Sequence, residues 1–194
     1  MHICFASHNE NKVKEMNAIM PKGISIIGLK ELGITEEIAE TGKTLEENSR
    51  IKASHVYERK GMPVFADDSG LLVKALKGEP GVYSARYAGP ERDDNKNMDL
   101  LLGRLTDHID RSAEFQTVIT FINQHGDTKQ FKGVVEGTIT TNKKGRNGFG
   151  YDPIFQPLNQ TQTFAEMSNE IKNRISHRAK AVQKLLEYLH QHHG

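Results

Sequence analysis

Two adjacent carboxylates, Asp67 and Asp68, follow the short apolar run at residues 63–66 and are followed at once by Ser69-Gly70. Neighbouring acids repel unless a cation or a proton comes between them, so the fold has to bring a counter-charge to this point. The run reads as a strand that stops at the acids and sets one or both at a sheet edge over a crevice. Hard carboxylate oxygens there suit Mg²⁺, which takes one or two carboxylates plus waters and substrate phosphates. The same group can act as a general base toward water. The plainer alternative is a solvated turn that ends the strand. A second ligand can come from the acidic stretch at 34–42, through Glu36, Glu37 or Glu40.

Around this point the pattern alternates between strand and helix. Residues 2–6 form a short apolar strand, and Val13, Met16 and Met20 follow at helical spacing. A second strand is predicted at 24–29. Thr44-Leu45-Glu46-Glu47 is a capping box that opens a helix to Lys60. On that helix Leu45, Ala53, Val56 and Tyr57 share a face, with Asn48 and Lys52 between it and Ile51. The polar pair then lines a cleft, unless Lys52 merely snorkels at the core edge. Met98, Leu101, Leu102 and Leu105 predict a helix over 93–105. Strands at 114–123 and 129–140 flank the hairpin signal Gln124-His125-Gly126-Asp127. Ser176 is placed to cap a final helix whose Val182, Leu185, Leu186 and Leu189 face the core. The predicted class is α/β with a mixed sheet.

Composition narrows the function. A chain of 194 residues fits one domain, 1–194. Lys and Arg number 26 against 25 Asp and Glu, which argues against a nucleic-acid coat. A single cysteine, Cys4, allows no intrachain disulfide. No apolar run approaches the ~18 residues of a membrane span, and the start lacks a leader pattern. The expectation is a soluble cytoplasmic protein with neither nucleic acid nor membrane as partner. The histidines near the C-terminus, His190, His192 and His193, lie where fraying is expected, and neither HxxxH nor HExxH occurs, so zinc is not expected. Without GxSxG, and with Cys4 in a buried strand, a serine or cysteine nucleophile is not expected either.

Three further stretches carry chemistry. Ser7-His8-Asn9-Glu10-Asn11-Lys12 joins a strand to a helix start, where unpaired N–H groups and the dipole favour phosphate, and Lys12 adds charge. It is not a Walker A loop; ordinary N-capping is the alternative. Asn147-Gly148-Phe149-Gly150-Tyr151-Asp152-Pro153 sets aromatics between glycines, so Phe149 can stack on a flat base and Asp152 can accept from it. The alternative is a glycine-rich turn whose aromatics plug the core. Ser176-His177-Arg178 puts two donor side chains at the first helical positions, or simply caps a helix with surface cations.

Taken in order, SHNENK (7–12), ETG (40–42), ENSRIKA (47–53), FADDSGL (65–71), PGVYSARYAG (80–89), GFGYDPIF (148–155) and SHRAKA (176–181) resemble the inosine/xanthosine triphosphate pyrophosphatase family. The resemblance implies an elongated mixed β-sheet with flanking helices, two lobes around a central nucleotide-binding cleft, and a homodimer. It implies hydrolysis of ITP, dITP or XTP to monophosphate and pyrophosphate with Mg²⁺, which clears deaminated purines from the nucleotide pool. Carried residue by residue, Ser7, His8, Asn9, Glu10, Asn11 and Lys12 would hold the triphosphate, with Asn48 and Lys52 on the phosphate side. Glu40 and Asp68 would bind Mg²⁺, and Asp68 would accept the proton of the attacking water. Ser69 would contact substrate. Phe149, Gly150, Tyr151, Asp152, Lys172, His177 and Arg178 would surround the base.

Selection of the base has a physical logic. Hypoxanthine and xanthine present a 6-oxo acceptor where adenine has an amine, so donors from His177 and Arg178 would leave adenine mismatched. Guanine shares the 6-oxo group, so its rejection must lie elsewhere, at the 2-position. Competing readings are a pyrophosphatase of similar fold acting on other nucleotides and a non-catalytic nucleotide sensor, which needs no water-activating carboxylate. An RNA-binding protein is disfavoured by the charge balance and by the lack of an RNP aromatic motif. A Nudix hydrolase is disfavoured by the missing REx₂EE helix.

Overall fold

A computed structural model describes residues 1–193; Gly194, the end of the expected domain, lies outside the described residues. The strands are β1 (His2–Phe5), β2 (Ser25–Gly28), β3 (Val64–Val73), β4 (Ser112–Ile122), β5 (Thr128–Ile139) and β6 (Phe155–Pro157). They form one sheet in the order β2-β1-β3-β4-β5-β6. β1 runs parallel to both β2 and β3, with Cys4 opposite Val64 and Phe5 opposite Phe65. β6 runs antiparallel to β5. The helices are α1 (Glu10–Ile19), α2 (Leu45–Lys60), α3 (Asp94–Arg104), α4 (Asn169–Ile175) and α5 (His177–His193). The mixed α/β sheet read from the sequence is therefore present. No helix among the described residues is long and apolar enough to cross a membrane.

The chain divides into two compact units. One holds Met1–Asp68, Thr117–Gly133 and the chain from Ala179 onward; the other holds Ser69–Gln116 and Val134–Arg178. In the first, strand alternation sorts the side chains. Ile3, Phe5, Phe65, Ile119 and Phe121 pack with Met16 of α1 and with Ala181, Val182, Leu185 and Leu189 of α5. Cys4, Ala6, Val64, Ala66 and Ile122 turn the other way and pack with Ala53 and Val56 of α2. So α1 and α5 cover one face of these strands and α2 covers the other. The second unit packs Met98, Leu101 and Leu105 of α3 against Leu71, Val73, Phe115, Phe155 and Phe164, the face that the spacing of α3 predicts.

Several local expectations are corrected. β3 does not stop at Asp67; it runs through Asp67, Asp68, Ser69 and Gly70 to Val73. The acids can stay in the strand because side chains from two helices meet them there. The short helix α4 was not expected, since seven residues are too few to display a period. Ser176 closes α4, its N–H donating to the Lys172 carbonyl, while α5 begins at His177 directly after it, as expected. Helix α5 continues past His190, and His192 stacks on Tyr188 with centroids 4.1 Å apart.

Cys4 is fully buried, and desolvation followed by the charge of Glu31 pushes its thiol up to about 12. The folded protein should therefore resist a thiol-alkylating reagent at pH 8, while the protein in denaturant should label fully. Mass spectrometry of both samples decides this; rapid labelling of the folded form would contradict the burial of β1.

Candidate active site

Asp67 and Asp68 are adjacent on a strand, so their side chains leave it on opposite faces. Asp67 turns toward α1, where Lys12 Nζ lies 3.1 Å from Oδ1 and 3.0 Å from Oδ2. Asp68 turns toward α2, where Lys52 Nζ donates to Oδ1 at 3.3 Å and Asn48 Nδ2 donates to Oδ2 at 3.2 Å. Lys52 also donates to Glu40 Oε1 at 2.6 Å. The Asp67 side chain is 0% exposed and that of Lys12 14%. Removing one partner from such a buried pair typically destabilises by about 3–5 kcal/mol. The exposed Arg59–Glu36 pair belongs to the class worth about 0–1 kcal/mol.

The acidic stretch is brought to the site by a close approach. Gly42 N–H donates to Asn48 Oδ1 at 2.8 Å, and a Cβ on Gly42 would sit 2.6 Å from Glu47 Cβ and 2.7 Å from that oxygen. Thr44 caps α2 by accepting from Glu47 N–H at 3.1 Å. Glu47 reaches back to Lys43 N–H at 2.6 Å, one residue earlier than a standard box. Of the three acids considered, Glu40 shares Lys52 with Asp68. Glu36 instead pairs with Arg59, and its carbonyl lies 2.9 Å from His8 Nε2.

The loop at 7–12 differs from the expectation of open amides. Asn9 Oδ1 caps α1, accepting from Asn11 N–H at 3.0 Å and Lys12 N–H at 3.1 Å, and Asn9 N–H donates to Ser7 Oγ at 3.2 Å. Glu10 opens the helix, where an acid suits the dipole.

Burial pushes the Asp68 carboxyl above the usual 3.8, and the nearby Lys52 and Lys12 reduce that rise without cancelling it. Lys52 moves up as well: burial disfavours its charge, but Asp68, Glu40 and Asp67 together outweigh that. Two carboxylates meeting on one ammonium form an oxygen-rich group that carries more acid than base. Among the described residues no cluster of three or more His, Cys, Asp or Glu forms a ready-made metal cage. Two carboxylates without a third fit a hard cation completed by waters and substrate phosphate.

The residues expected around the base collect in the second unit. Gly148 has φ +75°, and a Cβ there would lie 2.0 Å from Asp152 Oδ2. That oxygen accepts from Phe149 N–H at 2.9 Å and from Lys172 Nζ at 2.6 Å. Lys172 Nζ stands 4.9 Å from the Phe149 ring centre and Arg178 Cζ 5.7 Å from it. Arg178 is 2% exposed and donates from Nη2 to Ser69 Oγ at 3.3 Å. His177 stacks on Phe115 at 4.6 Å. Tyr151 is buried in the core with its hydroxyl donating to the Ser84 carbonyl at 2.8 Å, while Gly150 N–H donates to Asp94 Oδ2 at 2.7 Å.

The structure thus gathers Lys12, Glu40, Asn48, Lys52 and Asp68 with Asp67 in one unit, and Ser69, Phe149, Asp152, Lys172, His177 and Arg178 in the other. Sequence reading missed Asp94 and the buried pair Ser49 and Thr120, which lie 71 residues apart and hydrogen-bond at 2.7 Å. No local pattern marks them.

A mixed-sheet α/β protein with a buried carboxylate–lysine group on α2 and β3 is the class that fold and site define. Residues 3–188 match the Ham1 family. The chain is 49% identical over 189 residues to the dITP/XTP pyrophosphatase of Flavobacterium johnsoniae, covering 97% of this chain and 98% of that one. Its structure is similar to that of the Staphylococcus aureus Ham1 protein, with a TM-score of 0.90 at 43% identity over 99% of this chain and 100% of that one. A HAM1 protein from Coxiella burnetii gives a TM-score of 0.91 at 40% identity, covering 98% and 99%. The chain belongs to the Ham1 family.

Because the folded value of Asp68 lies above 3.8, stability that this group lends below 3.8 is lost as pH rises through the folded value. Carbon-detected NMR titration of the metal-free protein should place the Asp68 midpoint above 3.8, the ordinary aspartate value. Lys52→Met, which removes the larger of the two lowering charges, should move it higher still. A midpoint at or below 3.8, or no change in Lys52→Met, would contradict this electrostatic picture.

Proposed function

We propose that the protein hydrolyses deaminated purine nucleoside triphosphates, dITP, ITP and XTP, to the monophosphate and pyrophosphate. The observation that carries the reading is Asp68: a buried carboxylate in mid-strand, raised by burial and met by Lys52 and Asn48 from one helix. A raised carboxyl is a better base than a surface one. The names of the relatives support the substrate class. The match of residues 3–188 to one family supports reading 1–194 as a single pyrophosphatase domain.

In this reading Lys12 and the loop Ser7 to Asn11 hold the phosphate chain, and Asn48 and Lys52 line its α-phosphate end. Asp68 takes a proton from the water whose oxygen bonds to the α-phosphorus. The bond from that phosphorus to the bridging oxygen breaks, and pyrophosphate leaves with the electron pair. Glu40 and Asp68 would hold Mg²⁺, which supplies neutralisation and orientation of the phosphate charge. Phe149 stacks on the base, with Gly150, Tyr151 and Asp152 shaping its loop, and Ser69, Lys172, His177 and Arg178 supply polar contacts. A homodimer belongs to the reading through the family resemblance, and a cytoplasmic location through the composition.

The test is a panel of nucleoside triphosphates with Mg²⁺, scored for pyrophosphate against orthophosphate. Pyrophosphate and monophosphate from XTP, dITP and ITP are expected; orthophosphate and a diphosphate as first products would overturn the reading. Asp68→Asn should lower kcat by about 10²–10⁴-fold, because an amide is no base. Near-normal turnover at saturating Mg²⁺ would remove Asp68 from that role.

Arg178→Ala should collapse the ITP-to-ATP ratio of kcat/KM by roughly 10–150-fold, the worth of a charge-assisted hydrogen bond of about 1.5–3 kcal/mol. The ratio is the right readout because loss of a buried side chain lowers the folded fraction for both substrates equally. An unchanged ratio would move base selection away from Arg178.

A further inference from the structure

The hydrogen bonds that α2 makes to Asp68 are long, 3.2 Å from Asn48 and 3.3 Å from Lys52. A shift of α2 by a few tenths of an ångström would break them. Beneath the helix Ala53 and Val56 pack with Cys4, Ala6, Leu29, Ile34, Val64, Ala66 and Ile122, and apolar packing carries no direction.

Away from Asp68, α2 also meets β4 through a buried pair of hydroxyls. Ser49 Oγ and Thr120 Oγ1 are 2.7 Å apart, and both residues are fully buried. Ser49 directly follows Asn48, and Thr120 lies two residues before Ile122 on β4, so it shares the face that α2 covers. The Ser49 hydroxyl donates to the Glu46 carbonyl at 3.1 Å, so Thr120 supplies the hydrogen between the pair. Gln130 Nε2 donates to Thr120 Oγ1 at 2.9 Å and to the Glu46 carbonyl at 2.9 Å, so β5 braces the same point. A satisfied polar contact buried among apolar side chains fixes one register among those that packing alone would allow.

We propose that Thr120 and Ser49 are a positioning pair, which fixes α2 against β4 at the register from which Asn48 and Lys52 reach Asp68. Neither residue touches substrate; both act through the helix. The inference rests on the reading of Asp68 as the base that activates water.

Two substitutions of Thr120 separate positioning from plain stability. Thr120→Val keeps the packing and loses the hydroxyl; Thr120→Ser keeps the hydroxyl and loses a methyl. With XTP and Mg²⁺, Thr120→Val should lower kcat by about tenfold or more while KM stays within about twofold, since small misplacements of this kind cost up to about 10²-fold. Thr120→Ser should recover most of kcat even where its melting temperature is the lower of the two. Ser49→Ala, in a helix that tolerates alanine well, should repeat the loss seen with Val and serves if the Val variant does not fold. Full kcat in Thr120→Val or Ser49→Ala, or a kcat that follows melting temperature across the set, would overturn the proposal. Failure of the unmodified protein to release pyrophosphate would instead overturn the reading of the reaction, and the two failures are told apart in one assay.

Discussion

Two adjacent carboxylates buried in the middle of a strand set the conditions for everything near them. Strand geometry sends Asp67 and Asp68 to opposite faces, and each is paired with a different lysine. α1 supplies Lys12 on one face and α2 supplies Lys52 on the other. The first unit therefore needs a helix on each side of β3 for electrostatic reasons as well as apolar ones. The result is asymmetric. Asp67 is held through both oxygens by one lysine, whereas Asp68 shares Lys52 with Glu40. Asp68 is thus the less compensated acid of the two, which suits the role proposed for it.

The second unit solves a related problem for cations. Lys172 and Arg178 are both buried, and each is met by an oxygen and by the face of Phe149. The loop can only take this form because Gly148 has no side chain: a Cβ would collide with Asp152, whose carboxylate holds both the Phe149 amide and Lys172. A half-buried aromatic ring backed by fixed donors suits a flat base with an acceptor at its edge.

Much of this was legible in the chain. The paired acids, the lysines at 12 and 52, Asn48 on one helix face and the turn at 147–153 each stand out by residue type and spacing. What the sequence hid has physical causes. β3 looked as if it ended at Asp67 because isolated acids do not stay in a strand, and the compensating lysines come from other elements. Helix α4 is shorter than the period needed to detect it. The amides of the 7–12 loop looked open to phosphate, yet Asn9 already bonds two of them. Ser49 and Thr120 are ordinary residues far apart in sequence, and only packing makes them a pair.

Attack at the α-phosphorus is the claim on which the roles of Asp68, Lys12 and Lys52 all turn. Hydrolysis of XTP in water enriched in oxygen-18 tests it without any substitution. The account requires the heavy oxygen to appear in the nucleoside monophosphate and the released pyrophosphate to carry none. Label in pyrophosphate or in orthophosphate would mean that water attacks a different phosphorus, and Asp68 would not be the group that aims it.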